Sequence, residues 1–225
     1  MNKQSKKSLP KNRQYFRDIV KTVSEVDKEI AEGLRILDGV DRKIISIFGS
    51  HVPEKKDKYY VQCEKAAYLL GTKKYAILTG GGPGIMKAAN EGATRAKTIS
   101  MGFKAGMLKN EQGVTDNIFT YQESFKFLFA RRFCLALKSE ALVFYPGGYG
   151  TLNELFEYIT IIQIHLVDPV PVICVNKKYW EGLFKWLRAQ PLKNKYITPK
   201  HLQGIYFAET PEEVVKLIEK KLNKK

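Results

Sequence analysis

The 225-residue chain has no apolar run long enough to cross a membrane. Its most apolar stretch, Ile159 to Val167, is short and carries Gln163 and His165. The lysine-rich start has no apolar segment behind it, so no secretory signal is expected. Cysteine is scarce. Cys63, Cys134 and Cys174 sit inside apolar segments without metal-like spacing, and read as buried thiols in a reducing, cytoplasmic compartment. The three histidines form no cluster with cysteine or carboxylate, so no metal site is expected and no Ser-His-Asp arrangement can be assembled. Two nucleotide signatures are also missing: no glycine loop closes with Gly-Lys-Ser/Thr, and none has the Gly-x-Gly-x-x-Gly spacing.

Acidic residues are outnumbered, at 23 against 38 Lys and Arg, for a formal charge of +15. The excess is concentrated at the ends, with five charges in residues 1–13 and a net four in the last ten residues. That distribution fits solvated ends better than a nucleic-acid reading surface, and no aromatic-basic RNA motif accompanies it. Nucleic acid is therefore not an expected partner. Residues 1–11 read as a disordered basic tail, and 12–225 as a single domain.

Helical spacing over 12–37 predicts one long amphipathic helix, placed outside the fold or against a partner chain. Short apolar strands at 43–48, 75–79, 98–103, 141–145 and 171–175 then alternate with helices at 57–71, 84–97, 123–138, 151–165 and 178–190. Weaker strands are read at 118–121 and 204–208, a polar loop at 104–117, and a last helix at 211–222. This alternation predicts an α/β, Rossmann-like parallel sheet with helices on both faces, plus the N-terminal helix.

In such sheets ligands bind beyond the carboxyl ends of the strands. Three of those ends carry glycine: Gly49-Ser50, Gly80-Gly81-Gly82 and Pro146-Gly147-Gly148-Tyr149-Gly150-Thr151. Glycine lets backbone N–H groups approach an anion, and the helix that follows adds its partial positive end. The pattern points to a phosphorylated ligand. His51 follows the first turn, where a loop histidine is more often simply exposed than part of a pocket; His165 and His201 look incidental.

Two side chains carry alternative readings. Thr151-Leu-Asn-Glu154 fits a capping box, which would make Glu154 structural, and the same carboxylate fits a catalytic role. Arg131 lies in a helix with almost no polar face, between Phe127, Leu128, Cys134 and Leu135. A guanidinium there needs an anion, either Glu154 or Glu157 in a salt bridge, or a ligand at the glycine turns. Arg132 points elsewhere and reads as structural.

Gly80-Gly-Gly-Pro-Gly-Ile-Met86, Asn90-Glu-Gly92, Arg131-Arg132 and Pro146-Gly-Gly-Tyr-Gly-Thr-Leu-Asn-Glu154 resemble the Lonely Guy family, often labelled "possible lysine decarboxylase". The resemblance covers roughly residues 40–190, and Tyr179-Trp180-x-Gly-Leu-Phe-x-Trp186 looks like a bacterial branch. It implies a Rossmann-like homodimer with sites near the subunit interface, acting without a cofactor. The implied activity is hydrolysis of the N-glycosidic bond of a nucleoside 5′-monophosphate, a cytokinin ribotide or AMP-like, to free base and ribose 5-phosphate. Arg131 and Glu154 match the family's catalytic pair. Gly147, Gly148, Gly150 and Thr151 match its phosphate turn, and Gly80, Gly81 and Gly82 a second nucleotide loop. Gly49 and Ser50 belong to a variant of its first glycine loop. Asn153 departs from the acidic residue common before the motif Glu, and Arg132 from the usual Lys. Decarboxylation would need pyridoxal phosphate on a lysine, and nothing in the sequence suggests that site. The rival expectation is a nucleotide- or molybdenum-cofactor-binding carrier without hydrolase activity.

Overall fold

The computed structural model describes residues 18–106 and 116–223. The expected basic tail, the start of the first helix and most of the polar loop, with Glu111 and Gln112, lie outside them. Seven strands form one parallel sheet: β1 (Ile44–Phe48), β2 (Ala76–Thr79), β3 (Ser100–Ala105), β4 (Tyr121–Phe125), β5 (Ser139–Phe144), β6 (Val172–Val175) and β7 (Ile205–Ala208). Their order is β4-β3-β2-β1-β5-β6-β7. The chain steps outward from β1 to β4 and returns to place β5 on the other side of β1. That reversal opens a crevice at the carboxyl ends of β1 and β5.

Among the described residues seven α-helices accompany the sheet: α1 (Ile19–Asp38), α2 (Lys58–Thr72), α3 (Ile85–Arg95), α4 (Leu128–Leu137), α5 (Tyr149–Gln163), α6 (Lys177–Leu187) and α7 (Pro211–Leu222). Alternate strand residues point to opposite faces. Ile44, Phe48, Leu142 and Phe144 pack with α1, α4, α5 and α6. Ile45, Ile47, Ala141 and Val143 pack with α2, α3 and α7. The central strands are apolar throughout because both faces are covered.

Two expectations need correction here. The helix read over 123–138 begins only at Leu128, because residues 121–125 pair with β3 as a strand. Phe125 lies three and four residues before Leu128 and Phe129, which continues a helical spacing of apolar residues, so pattern alone hid the change. That helix is also not largely buried. Phe129 is 52% and Phe133 37% exposed, and Leu128 is exposed with them. An all-apolar wheel records composition, and this chain's own core covers only one side of it.

Helix α1 covers the sheet through Val26, Ile30, Ile36 and Leu37. It also completes α4, whose start has no side-chain cap of its own. The Glu29 carboxylate accepts from the Lys126 N–H at 2.7 Å and the Phe127 N–H at 3.1 Å. In return Lys138 Nζ donates to the Leu37 carbonyl at the end of α1, at 2.7 Å. The helix bearing Arg131 is thereby fixed at its first turn from outside the sheet.

Candidate active site

Strands β2, β1 and β5 are consecutive neighbours, so the three glycine clusters at their ends meet. Ser50 joins them through its backbone. Its N–H donates to the Pro146 carbonyl at 3.1 Å, and its carbonyl accepts from the Ile85 N–H at 2.9 Å, at the start of α3. Gly49 lies against Ile85. The His51 ring is exposed at the rim.

Gly80, Gly81 and Gly82 are buried. Gly81 has φ +69°, a conformation that side-chain-bearing residues rarely adopt. Its N–H donates to Thr79 Oγ1 at 2.9 Å, and that hydroxyl bonds Asn90 Oδ1. Asn90 Nδ2 then donates to Ser100 Oγ at 2.9 Å and the Met101 carbonyl at 3.0 Å. A buried polar network from α3 to β2 and β3 therefore sets the shape of this turn, with these hydrogen bonds satisfying its groups.

The third turn opens α5, and its geometry corrects the capping-box expectation. The helix begins at Tyr149 with Gly148 as its cap, and no side chain caps it. Thr151 is therefore the third helical residue, and Glu154 lies in the second turn, out of reach of a capping box. Buried Thr151 packs beneath Gly147, where a Cβ would come within 2.2 Å of its hydroxyl oxygen. Only glycine permits that approach. Gly148 and Gly150 are exposed at the helix N-terminus, where the helix dipole favours an anion.

Arg131 and Glu154 come together in a setting largely shut off from solvent, with side chains 9% and 13% exposed. Arg131 Nε donates to the Phe103 carbonyl at 2.6 Å, and Nη2 to the Gly80 carbonyl at 3.1 Å. Nη1 lies 3.9 Å from Glu154 Oε1. One guanidinium thus ties the ends of β3 and β2 to α5 and fixes its plane by two carbonyls. A Cβ at Gly80 would come within 2.0 Å of Nη2, so that glycine also makes room for the arginine. The second candidate for Arg131, Glu157, instead pairs with Arg132 across α4 and α5.

Tyr158, one turn beyond Glu154, donates its hydroxyl to the Arg132 carbonyl at 3.2 Å. Burial, and then the neighbouring Glu154 charge, push the phenol well above its ordinary pKa, so it remains a neutral donor. The three cysteines are buried and free. Burial raises the Cys134 thiol to about 11 and the Cys174 thiol to about 12, which leaves them protonated and unreactive near neutrality.

Lys104 escapes the sequence reading, which ends the third strand at Phe103. The strand continues to Ala105, and the Lys104 stem passes beside Gly81. Its ammonium lies 4.8 Å from the centre of the Phe119 ring. No spacing rule marks a single lysine at a strand end, and its place emerges only from the β3–β2 pairing.

The profile of a family described as "Possible lysine decarboxylase" matches residues 86–218. A probable cytokinin riboside 5′-monophosphate phosphoribohydrolase of Oryza sativa subsp. japonica is 25% identical over 200 residues, 87% of this chain and 79% of that protein. A cytokinin riboside 5′-monophosphate phosphoribohydrolase of Arabidopsis thaliana is 36% identical over 86 residues, 38% of this chain and 39% of that protein. Among solved structures, the molybdenum cofactor binding protein of Rippkaea orientalis superposes with TM-score 0.61 at 21% identity, covering 82% of this chain and 99% of that one. The Moco carrier protein of Chlamydomonas reinhardtii gives 0.60 at 20%, with the same coverage. At such identities the structural likeness concerns the fold alone. Among the described residues no helix is long and apolar enough to cross a membrane.

Proposed function

The chain belongs to the Lonely Guy family, described as possible lysine decarboxylases, and from that membership we propose that it hydrolyses nucleoside 5′-monophosphates. Water adds at C1′ of the ribose, the bond from C1′ to the base nitrogen breaks, and the base leaves with the proton that water gives up. The products are free base and ribose 5-phosphate. The observation that carries this reading is the sheltered pair of Arg131 from α4 and Glu154 from α5, the helix that opens on Gly148, Gly150 and Thr151. Loss of a base from ribose passes through an oxocarbenium-like transition state, which a fixed carboxylate stabilises while it orients the attacking water. The glycine turns hold the phosphate and so position the bond. Arg131, keyed by two carbonyls, positions Glu154 and presents its remaining edge to the substrate.

A carrier that binds a nucleotide or the molybdenum cofactor without cleaving it is the second reading, favoured by the fold it shares with proteins described that way. Purified protein incubated with AMP, GMP, CMP and isopentenyl-AMP separates the two. Free base and ribose 5-phosphate are the expected products from at least one of them. Tight binding of a nucleotide with no base released would replace the hydrolase with the carrier.

The same reading includes a homodimer. Exposed Phe129 and Phe133 on α4 and Phe156 on α5 lie on helices already laced together by Arg132–Glu157. Apolar aromatics gathered beside a site fit a subunit interface. Light scattering is expected to give twice the 25.7 kDa chain mass, and Phe129→Asp with Phe133→Asp to give a folded monomer. A wild-type protein that stays monomeric at high micromolar concentration would remove the dimer.

A further inference from the structure

The aromatic motif Tyr179-Trp180 on α6 plays no part in the chemistry above, yet it reaches the phosphate turn. The Tyr179 hydroxyl donates to the Gly147 carbonyl. Its ring stands edge-on to Trp180, with centroids 4.9 Å apart. Trp180 is fully buried, and its indole N–H donates to the Val175 carbonyl at 3.0 Å, at the end of β6. The tyrosine is thus a strut, seated on a core side chain and ending on the backbone of the turn. Its ring forms one wall of an open cleft of about 690 Å³ that also touches Ser50 and Gly147.

Two carbonyls of the turn are now accounted for. Ser50 N–H holds that of Pro146, and Tyr179 holds that of Gly147. In a trans peptide the C=O and the following N–H point in opposite directions. Holding the Gly147 carbonyl on Tyr179 therefore turns the N–H of Gly148 away from Tyr179. That N–H stands at the N-terminus of α5, where a backbone donor and the helix dipole together favour an anion.

We propose that Tyr179 is a positioning residue for the substrate's 5′-phosphate: its hydroxyl sets the Gly147–Gly148 peptide so that the Gly148 N–H faces a phosphate oxygen. The proposal rests on the hydrolase reading and assigns it a residue from the far side of the turn. Trp180 fixes the ring, and the ring fixes the hydroxyl. Ser50 performs the matching task for the preceding peptide through its backbone N–H, which no substitution but proline removes.

The test compares the parent with Tyr179→Phe, which keeps the ring and its stacking and loses only the bond to the turn. By calorimetry, ribose 5-phosphate is expected to bind the variant about five- to tenfold more weakly, the effect of one charge-influencing hydrogen bond. KM for the nucleotide is expected to rise by a similar factor while kcat changes less than twofold. Binding of ribose without phosphate should not change, and neither should the melting temperature. If the parent binds no ribose 5-phosphate, the phosphate turn and the proposed function fail together. If the parent binds it and Tyr179→Phe binds it equally well, Tyr179 has no positioning role and the function stands. A variant that loses kcat with KM unchanged would also overturn the proposal, because the defect would then lie in chemistry. Tyr179→Ala controls for the ring: a loss seen only in that variant would assign the effect to packing on Trp180.

Discussion

Glu154→Gln is expected to fold like the parent and to lose kcat by about 10²- to 10⁴-fold, the span attributed to a positioned acid–base group. The substitution keeps size and shape and removes the charge. The carboxylate is only 13% exposed and lies 3.9 Å from Arg131 Nη1, so little solvent intervenes to replace it. A capping role is excluded, because α5 begins at Tyr149 and needs no carboxylate at position 154 to cap it. The loss should therefore fall on turnover, with circular dichroism and the melting curve close to those of the parent. Asn153→Ala, at the exposed neighbouring position, is the control and should leave kcat nearly unchanged. A Glu154→Gln enzyme running near the parent rate would show that the carboxylate is not part of the chemistry. Ribose 5-phosphate binding should survive in this variant, which separates a lost catalyst from a lost phosphate site.

The central sheet was legible because its strands are buried on both faces. Near-continuous apolar runs such as 141–145 and 171–175 need no partner information to be recognised, and they fall within two residues of β5 and β6. The convergence of three glycine clusters was legible for the same reason: doubly wound strands put their carboxyl ends on one edge. Errors arose where one residue pattern supports two structures. Tyr121 and Phe125 stand four residues apart, a helical spacing, and pairing of residues 121–125 with β3 decided for a strand. Thr151 and Glu154 satisfy a capping box on paper, but Gly148 starts the helix three residues earlier. Burial of α4 was overestimated because apolarity says nothing about whether the covering surface is in the same chain. Relations through backbone atoms were out of reach altogether. The bonds from Arg131 to the Phe103 and Gly80 carbonyls, and from Tyr179 to the Gly147 carbonyl, have no counterpart in residue identity.

Arg131→Met is expected to cost both activity and stability, and the two losses have different origins. Methionine fills much of the same volume, so a cavity is not the main term. The Phe103 and Gly80 carbonyls would each lose a donor in the interior, and Glu154 would lose its ion pair with Arg131. Unpaired buried carbonyls and the broken ion pair together give an expected destabilisation of about 3–5 kcal/mol, read as a lower urea midpoint. Hydrolysis should fall at least about 10³-fold, because the pair that orients the carboxylate is broken. Arg131→Lys should not rescue either property: one ammonium cannot span two carbonyls and a carboxylate in the plane that the guanidinium occupies. The double variant Arg131→Met with Glu154→Gln separates the causes. Removing the Glu154 charge as well should restore part of the lost stability, leaving the double variant more stable than Arg131→Met alone, while turnover stays as low as in either single variant. Additive stability losses would mean that Arg131 and Glu154 act independently. Near-normal turnover in Arg131→Met would detach the arginine from the reaction and leave it as the tie between β2, β3 and α5.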